Sequence, residues 1–213
     1  MSARSTMASK PLKSGALLAR MVSHFFLAAG ILGLGYATYV VVDAQTYQAV
    51  EEFKLPKMRP AQRPRVVAEG DVIGEISIPR LDLKIIVVQG DSSKILRRAV
   101  GHLPGTPLPG ETGNVALAGH RDSYFRPLRN IQPGDAIRIK TPDAEFEYQV
   151  ESTEIVLPSD VQVLQPDREN TLTLITCFPF YYVGPAPKRF IVRARQIGRL
   201  QEQTPIAEAP FQH

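Results

Sequence analysis

Between residues 70 and 197 the chain alternates apolar and polar positions in short runs, separated by turns that contain proline or glycine. Alternation sends successive side chains to opposite faces, so each run reads as a strand with one buried side. The runs fall at 72–78, 83–88, 100–103, 114–120, 135–141, 145–156, 171–177 and 189–197. Glu145-Phe146-Glu147-Tyr148-Gln149-Val150 shows the pattern most plainly. Two short helices fit 91–99 and 123–130, and a helical turn fits 159–164. Many short strands with few helices predict an all-β barrel or sandwich.

Upstream the pattern changes. Met21 to Val42 is a stretch of 22 residues without Asp, Glu, Lys or Arg. At about 1.5 Å per residue such a helix covers roughly 33 Å, which matches a hydrocarbon core of about 30 Å. The apolar core of a cleaved signal peptide is usually about 7–15 residues, so an uncleaved signal anchor is expected. Residues 1–20 then form a basic cytoplasmic N-terminus, 21–42 the transmembrane segment, and 43–69 a juxtamembrane helix and spacer stiffened by Pro56, Pro60 and Pro64. The barrel occupies 70–197, and 198–213 reads as a disordered tail.

Charge sharpens this reading. The chain carries 25 Lys and Arg against 21 Asp and Glu, and the whole excess of +4 comes from Arg4, Lys10, Lys13 and Arg20. Positive charge ahead of an apolar span, with Asp43, Glu51 and Glu52 behind it, orients the N-terminus to the cytoplasm and the barrel outside. Basic charge spent on orientation leaves no nucleic-acid-binding face, so no nucleic-acid partner is expected.

Cys177 is the only cysteine, so no intramolecular disulfide can form. A free thiol exposed to an oxidising compartment needs a reason to persist, and catalysis supplies one. Cys177 ends the run Thr171-Leu172-Thr173-Leu174-Ile175-Thr176-Cys177, on the face opposite Leu172 and Leu174. Acyl transfer by a thiol also needs a proton carrier and an oxyanion donor. His24 lies in the apolar span and His213 is the last residue. His120, at the end of Asn114-Val115-Ala116-Leu117-Ala118-Gly119-His120, is the first candidate for the proton carrier, and His102 the second. For the oxyanion, Arg189 opens the last strand; Arg193 and Arg195 share its face and read as solvated charges. In that strand Phe190, Val192 and Ala194 are expected to face the core, and Asp122, two residues past His120, is a candidate to orient the imidazole.

These segments match a known pattern. Thr173-Leu174-Ile175-Thr176-Cys177 resembles the TLxTC signature of sortases, the membrane-anchored cysteine transpeptidases of bacterial surfaces. Leu117-Ala118-Gly119-His120 resembles the segment carrying their catalytic histidine, and Lys188-Arg189-Phe190-Ile191-Val192 the strand carrying their catalytic arginine. The longer run from Thr176 to Pro187 most resembles class D sortases.

The resemblance implies an eight-stranded sortase-type β-barrel with short helices, preceded by one transmembrane helix. It implies that Cys177 attacks the Thr–X bond of an LPxT-like sorting signal on an exported protein. Arg189 would steady the oxyanion, and His120 would protonate the leaving amine. An amine acceptor, a cell-wall peptide or a pilin lysine, would then resolve the thioester. The acidic clusters that bind calcium in the best-known housekeeping sortases have no counterpart, because Glu111 is the only acid between Asp91 and Asp122. No metal and no other cofactor are therefore expected. Two rival readings stay open: a thiol peptidase releasing its product to water, and a non-catalytic membrane-tethered barrel that binds peptide tails.

Overall fold

The structure is a computed structural model that describes residues 13–54, 67–165, 169–182 and 184–200. Eight strands close into a barrel: β1 (Val72–Ile78), β2 (Leu83–Gln89), β3 (Val100–His102), β4 (Asn114–Ala118), β5 (Ala136–Lys140), β6 (Glu145–Val156), β7 (Thr171–Phe178) and β8 (Lys188–Leu200). Around the barrel the order is β1-β2-β3-β4-β7-β8-β6-β5. Most neighbours are antiparallel, but β2 with β3 and β4 with β7 run parallel. Alternation does the packing: Ile76, Ile78, Leu117, Ile137, Ile139, Leu172, Leu174 and Val192 all turn inward and are fully buried.

A helix, α1, runs from Lys13 to Lys54. Residues up to Asp43 form one compact unit, and those from Ala44 onward belong with the barrel. In the first unit Phe25, Phe26, Leu27, Ile31, Leu32 and Leu34 are all exposed, so the helix is apolar around its girth. In the second unit the end of α1 packs on the barrel. The Ile86 N–H donates to Gln48 Oε1 at 2.8 Å, and the Gln48 amide donates to the Arg98 carbonyl. Lys84 pairs with Glu52 and lies 3.4 Å from Glu75. Tyr47 and Ile95 cover a second small core of Val72, Ile86, Val88 and Ala99.

All eight expected strands are present, with differences at their ends. Expected to reach 120, β4 stops at Ala118, while β8 continues to Leu200, into the stretch read as a tail. The helix expected at 91–99 shrinks to Ser93–Leu96 (α2), because Ser92 is extended and Ala99 is drawn fully buried into the approach to β3. The helix expected at 123–130 is a 3₁₀ turn, Arg126–Asn130. Pro127 supplies no N–H and disfavours a helical residue before it, so an α-helix cannot pass through. The turn near 159–164 is a 3₁₀ turn, Val161–Leu164. Most of the proline spacer, 55–66, and the tail from 201 lie outside the described residues.

Candidate active site

Parallel pairing of β4 with β7 brings two candidate residues to one end of the barrel. The register runs from Asn114↔Thr171 to Ala118↔Ile175. The ladder persists beyond it: Gly119 N–H donates to the Ile175 carbonyl at 3.1 Å, and the Thr176 hydroxyl donates to the Gly119 carbonyl at 2.7 Å. Two residues past the end of β4, His120 thus stands level with Cys177, the last residue but one of β7. Glycine is required beside it, since a Cβ on Gly119 would sit 2.7 Å from Phe125 Cδ2 in a fully buried ring.

The antiparallel neighbour supplies the third residue. Cys177 and Arg189 are register partners on β7 and β8, and Ile175 and Ile191 are partners two residues on. Residues paired in this way point to the same side of the sheet. Leu172, Leu174, Val192 and Ala194 take the core side, so Cys177 and Arg189 face outward, as the alternation predicts. Phe190, expected in the core, packs against it half-buried and joins Phe178 and Phe180 in an aromatic cluster with centroids 6.4 and 5.3 Å away.

The outer face carries a cleft of about 430 Å³ in which His120, Cys177 and Arg189 all take part, with Ile175 and Ile191 beside them. Val161, Val163 and Leu164 line it from the β6–β7 connection. All three candidate side chains are half-buried, reachable yet partly shielded. Arg189 Nη1 donates to the carbonyls of Lys188 at 3.0 Å and Ala186 at 3.3 Å, which fixes the guanidinium at the strand's start. The arrangement brings a thiol, an imidazole and a charged N–H fork to one cleft.

The other candidates lie elsewhere. His102 is 1 % exposed, with Nδ1 2.8 Å from Gln89 Oε1 and Nε2 2.9 Å from the Pro107 carbonyl. Burial pushes its pKa down, so it is a neutral core histidine and does not line the cleft. Asp122 is exposed and makes no hydrogen bond to His120, which removes it as an orienting group. Arg195 pairs with Glu151 at 2.6 Å and Glu169 at 3.0 Å. His24 lies within α1, and His213 falls outside the described residues.

Two further side chains hold the cleft together, and neither stood out in the sequence. Asn114 Nδ2 donates to the Val163 carbonyl at 2.9 Å and reaches that of Gln165 at 3.4 Å. The Thr173 hydroxyl donates to Asn114 Oδ1 at 2.7 Å, and both residues are buried. They fasten the β6–β7 connection to the barrel. Their signal was weak, a polar residue at each of two positions on otherwise apolar strands. Arg121 fastens the β7–β8 loop in a similar way, donating from Nη2 to the carbonyls of Tyr182 and Gly184 at 2.8 and 3.0 Å.

A closed barrel with this cleft defines a cysteine transpeptidase of the sortase type, and comparison with known proteins agrees. The sortase domain family profile matches residues 76–197, and the chain belongs to the sortase family. It is 31% identical to sortase D of Bacillus subtilis over 199 residues, 84% of this chain and 98% of that relative. With sortase SrtE1 of Streptomyces coelicolor it shares 30% identity over 83% of this chain and 57% of the relative. Among solved structures, a Clostridium perfringens sortase D5 transpeptidase is 33% identical with a TM-score of 0.57, covering 62% of this chain and 82% of the other. Sortase C-3 of Streptococcus pneumoniae has a TM-score of 0.60 at 27% identity, over 79% of this chain and 88% of the other.

Proposed function

We propose that this sortase cleaves an LPxT-like C-terminal sorting signal after its threonine and passes the protein to an amine acceptor at the cell surface. The observation that carries the reading is the meeting of Cys177, His120 and Arg189 in one outward cleft at the ends of three adjacent strands. Cys177 Sγ attacks the threonine carbonyl, and the oxyanion that forms is met by the Arg189 guanidinium. His120 gives its proton to the departing amine, leaving a thioester on Cys177. An incoming amine reverses the steps, and His120 takes up its proton.

The exposed apolar stretch of α1 is the membrane anchor in this reading, with the basic N-terminus in the cytoplasm and the barrel outside. The anchor keeps the cleft near substrates as they leave the membrane.

Intact-mass spectrometry of the detergent-solubilised chain with a panel of LPxT-type peptides tests the reading. A peptide adduct is expected on the wild type, released by hydroxylamine as the hydroxamate and absent from Cys177→Ala. An adduct that survives in Cys177→Ala would sink the assignment. Product released only as the acid, even with millimolar amine present, would make the protein a peptidase.

A further inference from the structure

β2 and β3 run parallel, so the chain has to double back between them, and residues 90–99 make that return. The segment contains one helical turn, α2, and a single turn does not hold itself in water. It is seated on bare backbone. A Cβ on Gly90 would sit 2.8 Å from Ile95 Cδ1, and one on Gly101 would sit 2.9 Å from Leu96 Cδ2. The two neighbouring side chains then part to different surroundings. Ile95 joins Tyr47 of α1 over the small core of β2, while Asp91 and Leu96 line the Cys177 cleft beside Leu103 and Ala118.

Side chains from outside the segment fix its exit. The Gln48 amide of α1 donates to the Arg98 carbonyl, and the Tyr124 hydroxyl donates to the Arg97 carbonyl at 3.4 Å. Gln48 Oε1 also accepts from the Ile86 N–H at 2.8 Å. β3 pairs with β2 only from Val87 to Gln89, and Gln48 covers the strand just before that pairing begins. One side chain therefore ties the return segment to the flank of β2. Its two halves do separate work: the oxygen serves β2 and the N–H group serves the segment.

We propose that Gln48 is a positioning residue for the sorting peptide: through the Arg98 carbonyl it holds the 91–99 segment, and with it Leu96, as one wall of the Cys177 cleft. The inference rests on the reading of that cleft as the seat of the sorting peptide. Leu96 is half-buried and offers an apolar surface to a peptide only while the segment stays down on Gly101. Gln48 itself does not line the cleft, so its effect on a bound peptide passes through the backbone at Arg98. Cys177, His120 and Arg189 stand on or beside β4, β7 and β8, outside the segment. Loss of the tie therefore weakens peptide binding and leaves the chemical step alone. The juxtamembrane end of α1 becomes part of the substrate site, although it touches no reacting atom.

The test compares full-length wild type, Gln48→Met and Gln48→Glu in detergent, with an LPxT-type peptide as donor and hydroxylamine in excess as acceptor. Methionine keeps the length and loses both hydrogen bonds. Glutamate keeps the acceptor for Ile86 and cannot donate to Arg98. Both are expected to raise KM for the peptide about three- to tenfold, the worth of one hydrogen bond, with kcat unchanged. Amide hydrogen exchange at 96–99, where all four N–H groups bond within the turn, should quicken in both, while that at 171–178 stays as in the wild type. In Leu96→Ala the wall is already lost, so adding Gln48→Glu should raise KM little further. Wild-type KM and exchange in Gln48→Glu would overturn the assignment, because the bond to Ile86 alone would then suffice. A lower kcat and melting temperature at unchanged KM would make Gln48 a support of the whole barrel and overturn it as well. Failure of the wild type to form any Cys177 adduct overturns the proposed function, and the role in peptide binding with it, whatever the exchange shows.

Discussion

Cys177 and Arg189 face each other across β7 and β8 as register partners, so backbone hydrogen bonds set their spacing. Arg189→Ala is expected to lower kcat for thioester formation by about 10²–10³ with little change in KM, the usual loss for a missing oxyanion donor. Arg189→Lys should recover part of it, since the charge remains and the fork does not. Single-turnover kinetics separates the cases, and a change confined to KM would reassign Arg189 to substrate binding.

His102 and His120 should part company when each is replaced. His120→Ala is expected to stay folded and lose turnover. His102→Ala removes a buried, hydrogen-bonded ring and should cost about 1–3 kcal/mol of stability. Paired denaturation and activity measurements decide this, and an inactive, fully stable His102→Ala would reverse the choice of histidine.

His102 also gives stability a pH dependence. Burial lowers its pKa in the folded state, so the unfolded chain takes up the proton first. Its contribution is fully present above the unfolded value of about 6.5 and is lost as pH falls from there toward the folded value. Urea midpoints at pH 7.5 and 5.5 should fall on acidification, and fall less in His102→Gln. A wild-type midpoint that rises on acidification would contradict this.

Asn114→Ala should act on binding rather than on chemistry. It removes the amide that joins the Thr173 hydroxyl to the Val163 and Gln165 carbonyls and leaves only the 3.5 Å contact from that hydroxyl to Val163, at about 1 kcal/mol. Because Val161, Val163 and Leu164 line the cleft, KM for the sorting peptide should rise more than kcat falls. An unchanged KM would show that the connection holds its shape without Asn114.

Gly119→Ala places a methyl group against the Phe125 ring, which is buried and cannot yield freely. Overpacking of this kind costs about 1–3 kcal/mol, and here the strain falls on the residue before His120. Lower thermal stability and reduced turnover are expected together. A variant with wild-type turnover would show that Phe125 adjusts without moving His120.

The strands and the outward positions of Cys177 and Arg189 were legible because both rest on alternation, whereas His120 was read from its place at a strand end beside Gly119. Once Leu172 and Leu174 point inward, Cys177 must point outward, whatever surrounds it. Asn114, Thr173 and Arg121 were not legible, since their work is done on backbone carbonyls far away in the chain. Asp122 is a solvated loop aspartate, since nearness in sequence to His120 does not bring its carboxylate to the ring. The helix expected at 123–130 failed on a local signal that was present, Pro127.

The parallel pairing of β4 with β7 has a practical corollary for protein engineering. The spacing of thiol, imidazole and guanidinium belongs to a ladder of three strands, while the β6–β7 connection that lines the cleft and the β7–β8 loop that follows Cys177 are fastened to it from outside. Chimeras that exchange 157–170 or 179–187 for the loops of another sortase should therefore keep a working nucleophile while changing what it accepts. The graft must bring its own fastening, carbonyls that Asn114 and Arg121 can still reach.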